Sequence, residues 1–312
     1  MAKIGIVGAA GYTGGELLRI LINHPDVIIT CAMSNSQAGK LVSDVHTDLL
    51  GSCSLVFTKE LTPVDVLFIC SGHGESKKFL ASHSIPWHTK IIDLSTDFRD
   101  ESEGFVYGLP EFQKEKIKSA TKIANPGCFA TSIELALLPL ANAGLITEDV
   151  HVSAITGSTG AGQSLSPTSH FSWRNNNVSV YKAFTHQHLA EINQSLGTSK
   201  AIHFIPYRGN FSRGIMANVY TPYSGTQEQA EKLYEDFYAN SPFVFLSPAG
   251  VDVKQVVNTN KCFLHLQVHE GQILISSVID NLIKGASGQA VQNMNLMLGW
   301  SEEAGLKLKA TG

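Results

Sequence analysis

Charge is scarce in this chain and nearly balanced: 23 Lys and Arg face 27 Asp and Glu among 312 residues, for a formal net charge of −4. With a pI near 6.3, that composition leaves no basic footprint for nucleic acid and no basic amphipathic stretch for a membrane surface. Apolar runs are short, and none reaches the length of a membrane span. Cysteines are few. The five (Cys31, Cys53, Cys70, Cys128 and Cys262) are odd in number and widely spaced, without a C-x-x-C pair, so neither a metal site nor a redox dithiol is expected. The opening "MAKIGIVGAAG" has no charged n-region followed by an apolar stretch and cleavage site, which makes the cytoplasm the expected compartment. Repeats, charged blocks and low-complexity linkers are also missing. These exclusions leave small molecules as the expected partners. What is plentiful is apolar surface, 43% of residues, enough for a large core in about two domains at roughly 150 residues each.

The first half alternates two patterns. "KIGIVG", "VIITCAM", "VDVLFIC" and "TKIIDLS" are short, β-branched and continuously apolar, as strands buried on both faces of a parallel sheet must be. Between them lie amphipathic segments such as "GELLRILINHP" and "ESKKFLASH". This order predicts an α/β, Rossmann-like doubly wound domain over residues 1–148. From about Val150 the strands ("VHVSAIT", "AIHFIPY", "IMANVYT", "KCFLHLQVHEGQILISSVID") alternate apolar with polar residues. That predicts an α+β domain with a mixed or antiparallel sheet over residues 149–284.

After the first strand the chain reads Gly8-Ala9-Ala10-Gly11-Tyr12-Thr13-Gly14. Glycines where a strand hands over to a helix let the backbone approach a pyrophosphate, which then sits on the helix N-terminus. Gly8, Ala10, Gly11, Tyr12, Thr13 and Gly14 are therefore candidate dinucleotide contacts; with nothing bound, the same residues make a tight turn. At the end of the second strand, "MSNSQAGK" (Met33 to Lys40) has no acid to bind a ribose 2′-hydroxyl. Ser34 and Ser36 as donors and Lys40 as a charge favour the 2′-phosphate of NADP(H). Ser71, His73 and Gly74 follow a parallel strand, where loops face a cofactor crevice.

In "ANPGCFATS" (Ala124 to Ser132), Pro126 and Gly127 turn the chain so that Cys128 opens the apolar helix "FATSIELALLPLANAG". A thiol at a helix N-terminus meets unpaired N–H donors and the positive end of the dipole, both of which favour the thiolate. A buried structural cysteine is the competing reading. The run from Ile123 to Pro139 resembles the active-site signature of the N-acetyl-γ-glutamyl-phosphate reductases, NADPH-dependent enzymes of arginine biosynthesis. The resemblance extends through "GAAGYTGGELLRIL", "IIDLSTDFR", "VYGLPE", "TGSTGAG" and "DNLIKGASGQAVQNMN", and so over nearly the whole chain. It departs at Ser132, where the family usually has Gly or Ala, and at Ala190, where a proline usually precedes the glutamate.

The resemblance implies that Cys128 attacks an acyl phosphate, expels inorganic phosphate and forms a thioester that NADPH reduces to an aldehyde. This reaction wants an acid/base near neutrality. The segment Tyr181 to Ile192 looks like the family's histidine-x-histidine substrate segment, with one of His186 and His188 as acid/base and the other binding substrate, and Glu191 beside them. Arg99, Arg208 and Arg213 are candidates to hold anionic groups of the substrate. Asn125 and Tyr181 join the substrate-binding set. Gly160 lies in a close-approach loop near the nicotinamide. The resemblance implies that a C-terminal helix within 285–312 packs back on the nucleotide domain, with Asn281 and Lys284 near the cofactor, and that the protein is a homo-dimer or tetramer. Alternatives are an N-succinyl substrate, an aspartate-semialdehyde dehydrogenase, a cofactor-free thiol hydrolase and a non-catalytic NADP(H) sensor.

Overall fold

The computed structural model describes residues 1–72 and 74–311; His73 therefore lies outside the described residues. The chain divides into two compact units. The first is Met1–Gly127 with Ala286–Lys307, and the second is Cys128–Gly285 with the tail from Leu308.

In the first unit β1 (Ala2–Val7), α1 (Tyr12–Leu21), β2 (Val27–Met33), a single turn α2 (Val42–Val45), β3 (Val66–Ile69), α3 (Glu75–Ser82), β4 (Lys90–Asp93), β5 (Val106–Tyr107), α4 (Pro110–Ser119) and β6 (Lys122–Ala124) follow one another. The six strands lie in the order β2-β1-β3-β4-β6-β5, every pair parallel. All four residues of β3 are buried, which explains the unbroken apolar runs. The chain moves from β1 to β2 on one side and returns to β3 on the other. The crevice at the ends of β1 and β3 is thus the switch point where such sheets hold ligands.

The second unit opens with α5 (Cys128–Asn142), then β7 (Val150–Thr156), the single turn α6 (Phe171–Arg174), β8 (Ser179–Val180), α7 (His188–Leu196), β9 (Ile202–Arg208), β10 (Ile215–Pro222), α8 (Gln227–Tyr238), β11 (Val244–Leu246), β12 (Cys262–His269) and β13 (Gln272–Ile279). Its sheet runs β11-β12-β13-β10-β7-β9-β8 and is mixed: β7–β9 and β11–β12 are parallel, and the other pairs antiparallel. On β7, Val150, Val152, Ala154 and Thr156 are buried while His151, Ser153 and Ile155 face the other way.

The expected boundary after residue 148 moves to Gly127/Cys128. Coming straight after a parallel strand, α5 reads in sequence as one more helix of the doubly wound domain, yet it packs on β10, β13 and α7. The expected return of the C-terminus narrows to Ala286–Lys307. Here α9 (Gly288–Met297), buried at all its positions, packs with α1, α4 and β4. Past it, the Thr311 N–H donates to the Val257 carbonyl, so the tail belongs to the second unit.

Candidate active site

The glycine turn of the first unit is built by close approach. Gly8 has φ +75°, and a Cβ there would stand 2.6 Å from the Cys70 carbonyl oxygen; one at Gly14 would stand 2.5 Å from the Gly8 oxygen. No side chain is tolerated at either place. Gly11 is the N-cap of α1, which has neither a side-chain cap nor an acidic residue in its first turn. That leaves an uncompensated helix N-terminus suited to a pyrophosphate. Ala10 is half-buried and Tyr12 is exposed beside it.

The carbonyl of Met33 accepts the Ala9 N–H at 2.9 Å, which brings Ser34 against the turn. The hydroxyls of Ser34 and Ser36 are 3.5 Å apart, and the Lys40 ammonium donates to Gln37 at 3.0 Å on the surface. These donors, without an acid among residues 34–40, fit a 2′-phosphate. At the end of β3, Ser71 shares a hydrogen bond with Ser76, which donates to buried Asp93 at 2.6 Å. Burial pushes the Asp93 carboxyl up, against the hydrogen bonds from Ser76 and Ser95. Asp97 accepts the Gly74 and Lys77 N–H groups at 2.6 and 3.1 Å and so caps α3.

Arg99 and Asn125, expected at the substrate, hold the Asn-Pro-Gly turn. The Arg99 guanidinium is buried and donates to the carbonyls of Asn125 (3.0 Å) and Leu94 (3.2 Å). Asn125 donates through Nδ2 to the Ala286 carbonyl and accepts from Asn293 Nδ2 at 3.1 Å.

Cys128 is the first residue of α5, half-buried, with no acid in the helix's first turn. A Cβ at Gly285 would lie 2.8 Å from the Cys128 Cβ, so the π-helical turn Ile283–Ser287 fits the thiol's flank only because it has a glycine there. The Phe129 ring is 5.5 Å from that of His186 and 6.3 Å from that of His188. The two imidazoles meet edge to face at 4.5 Å. His188 donates its backbone N–H to His186 Nδ1 at 3.2 Å, and its Nε2 lies 3.9 Å from buried Glu191. His186 precedes α7 and His188 begins it, which is how residues two apart reach one spot. Tyr181 sits 5.8 Å from His186, with the Arg208 guanidinium 4.4 Å over its ring. Burial, helped by the charge of Cys128 and opposed by Arg208, pushes the Tyr181 phenol up to about 12. Arg208 Nε is buried without a hydrogen-bond partner among the described residues. Arg174 fixes the Arg208 backbone by donating to its carbonyl at 2.6 Å; sequence reasoning missed it because its partners, three backbone carbonyls and the Ser179 hydroxyl, are set by tertiary packing.

Asn281 accepts the Gly214 N–H at 2.8 Å and donates to Thr159 at 3.0 Å, clamping the Ser158–Ala161 turn. Lys284 is buried, with its ammonium 5.8 Å from the Phe243 ring centre. In "TGSTGAG" the glycine that packing demands is Gly157, whose Cβ would strike the Ser212 carbonyl, whereas Gly160 is exposed. Arg213 pairs with buried Asp280 at 3.0 Å. The hydroxyl of Ser132, the departure from the family pattern, pairs with Ser277 at 3.0 Å, so it is accommodated in the core. Among the described residues no group of His, Cys, Asp and Glu is placed to hold a metal.

A parallel-sheet dinucleotide unit and a second unit with a helix-start cysteine beside paired histidines define a semialdehyde dehydrogenase. The family model described as "Semialdehyde dehydrogenase, NAD binding domain" matches residues 3–120, and "Semialdehyde dehydrogenase, dimerisation domain" matches residues 128–281. N-acetyl-gamma-glutamyl-phosphate reductases of Azobacteroides pseudotrichonymphae and Christiangramia forsetii are each 56% identical, over 99% of this chain and 99% of their own. The chain belongs to the N-acetyl-gamma-glutamyl-phosphate reductase family. Aspartate semialdehyde dehydrogenase II of Vibrio cholerae shares the fold at TM-score 0.76 and 18% identity, covering 96% of this chain and 98% of that one. The aspartate semialdehyde dehydrogenase of Candida albicans, solved with NADP, does so at TM-score 0.72 and 12% identity, covering 96% and 98%.

Proposed function

We propose that this protein reduces N-acetyl-γ-glutamyl phosphate to N-acetylglutamate 5-semialdehyde with NADPH, releasing inorganic phosphate, as a cytoplasmic step of arginine biosynthesis. The observation that carries the reading is the grouping of Cys128, Tyr181, His186, His188 and Arg208 within one unit. The 56% identity to reductases of that name selects the acyl phosphate over the aspartate analogue.

The helix N-terminus holds Cys128 as thiolate. Its sulfur adds to the acyl carbon, the carbon–oxygen bond to phosphate breaks, and phosphate leaves with the electron pair, giving a thioester. Gly8, Ala10, Gly11, Tyr12, Thr13, Gly14 and Ser71 would hold NADPH, which would supply hydride to the thioester carbonyl. Ser34, Ser36 and Lys40 take its 2′-phosphate. Because His186 Nδ1 accepts the His188 N–H, the neutral His186 ring carries its proton on Nε2. We assign His186 as the donor whose Nε2–H hydrogen-bonds the oxyanion that forms on the thioester carbonyl oxygen; the oxyanion collapses to the aldehyde as the carbon–sulfur bond breaks and Cys128 leaves as thiolate. His188, held near Glu191, and Arg208, with its buried Nε donor, bind the substrate's anionic groups. Tyr181 stays a neutral donor across the working pH range.

The matched dimerisation domain supports a homo-oligomer built on the second unit's sheet. The assay follows NADP⁺ reduction with the semialdehyde and phosphate, and repeats it with the N-succinyl analogue. Phosphate-dependent turnover of the acetyl compound is expected. Cys128→Ser should abolish it while keeping NADPH affinity, and a variant with near-normal turnover would overturn the thioester route.

A further inference from the structure

We propose that His46 is a positioning residue for the dinucleotide: its imidazole sets the shape of the Gly8–Gly14 turn and ties that turn to the loop carrying Ser34, Ser36 and Lys40. The inference rests on the reading that NADPH binds this turn. His46 Nε2 lies 2.9 Å from the carbonyl oxygen of Ala9. A carbonyl only accepts, so Nε2 carries the proton. The ring is buried and fills the space beside Gly15, where a Cβ would stand 2.5 Å from the imidazole Cε1. That requirement accounts for Gly15, which the dinucleotide pattern leaves unexplained.

Holding the Ala9 carbonyl has a geometric consequence. The next peptide is planar and trans, so fixing the C=O fixes the Ala10 N–H in the opposite direction. Ala10 is one of the residues facing the pyrophosphate position. His46 follows α2 at the far end of the 34–45 loop. The loop is itself fastened by Phe57 N–H to the Lys40 carbonyl (2.9 Å) and Val42 N–H to the Leu55 carbonyl (2.8 Å). Just beyond His46, Asp48 takes a two-pronged hydrogen bond from Arg19 of α1, at 2.6 and 2.7 Å. The 2′-phosphate loop is therefore pinned twice to the element that binds pyrophosphate, and only His46 reaches the turn's own backbone in these bonds.

His46→Phe keeps a ring and removes the donor; His46→Gln keeps a donor and removes the ring. Dissociation constants for NADPH and NADH, read by nucleotide fluorescence, are measured with KM and kcat. His46→Phe should weaken both nucleotides by a common factor of about ten, as expected when a buried carbonyl loses its partner. KM for NADPH should rise with it, while kcat at saturation and KM for the acyl phosphate stay put. His46→Gln should recover part of the loss. Lys40→Ala, by contrast, should weaken NADPH and spare NADH. Wild-type affinity in a folded His46→Phe overturns the proposal. If that variant does not fold, His46→Ala is titrated with free imidazole: restored NADPH affinity supports the proposal, and an unchanged low affinity overturns it. A wild-type protein that binds no NADPH overturns the cofactor reading, and His46 with it.

Discussion

Cys128 and Cys70 show how surroundings divide one side chain into two chemistries. Cys70 is pushed up to about 12 by burial, with Asp93 adding to the rise and a Thr13 hydrogen bond opposing it. Below that pH it remains a thiol and a poor nucleophile. Iodoacetamide at pH 8 should therefore modify Cys128 and spare Cys70, as peptide mass mapping would report; comparable rates would contradict the assignment. Gly285 is the second residue-scale test. Gly285→Ala sets a methyl against the Cys128 Cβ and displaces the nucleophile, so kcat should fall by about a hundredfold, the scale of a misplacement near 1 Å, with NADPH affinity retained. An unaltered kcat would show that the π-helical turn yields instead. The close approach at Gly8 and Gly14, the helix start at Cys128 and the place of the histidine pair at the start of α7 were legible in the sequence because they follow from local backbone. The partners of Arg99, Asn125 and Asn281 (Asn125 and Leu94, Asn293, Gly214) were not legible because they are set by tertiary packing, and a residue type does not announce whether its donors are spent on carbonyls.

The helix that Cys128 opens contains Pro139. Proline has no N–H, so the Leu135 carbonyl one turn earlier loses its helical donor. The Tyr238 hydroxyl supplies the replacement at 2.6 Å, and Tyr234, one turn before it on α8, donates to the Ala136 carbonyl at 2.6 Å. Both tyrosines are buried. Tyr238→Phe leaves that carbonyl unsatisfied and should cost about 1–3 kcal/mol, measured by urea denaturation, without changing KM for either substrate. A loss within error would mean that another group fills in. The continuous apolar strands and the alternating ones announced the two sheets correctly. The boundary between units was hidden because α5 follows a parallel strand; its burial on all sides was the available clue. The Glu134 carboxylate and Ser195 hydroxyl join α5 to α7 in the core, so the helices presenting Cys128 and His188 are set against each other by a bond that no linear pattern shows.

For the whole molecule, the second sheet has one face under α5, α7 and α8 and another on which His203, His151 and Tyr220 stack across β9, β7 and β10, at 5.0 and 4.9 Å. Tyr220 is 45% exposed. Were this the self-pairing face, Tyr220→Glu would put a charge into it at a desolvation cost and shift sedimentation toward the 33.7 kDa monomer; an unchanged mass would move the interface elsewhere. The α/β class, the mixed second sheet and the dinucleotide turn were all readable from periodicity and glycine placement. Which face stays open was not, since it depends on where the helices land.

The discontinuous first unit also sets an order of events during synthesis. Its missing helix, Gly288–Met297, reaches back through Asn293 to the Gly108 carbonyl and through Asn295 to His24. A ribosome delivers those residues only after the whole of Cys128–Gly285. Cys128–Gly285 emerges as one contiguous stretch and can form its core first, leaving only the short tail from Leu308 to be added, domains generally folding as units. The nucleotide unit waits with α1, α4 and β4 uncovered until Gly288–Met297 has emerged, and is therefore the part of the nascent chain most in need of a chaperone.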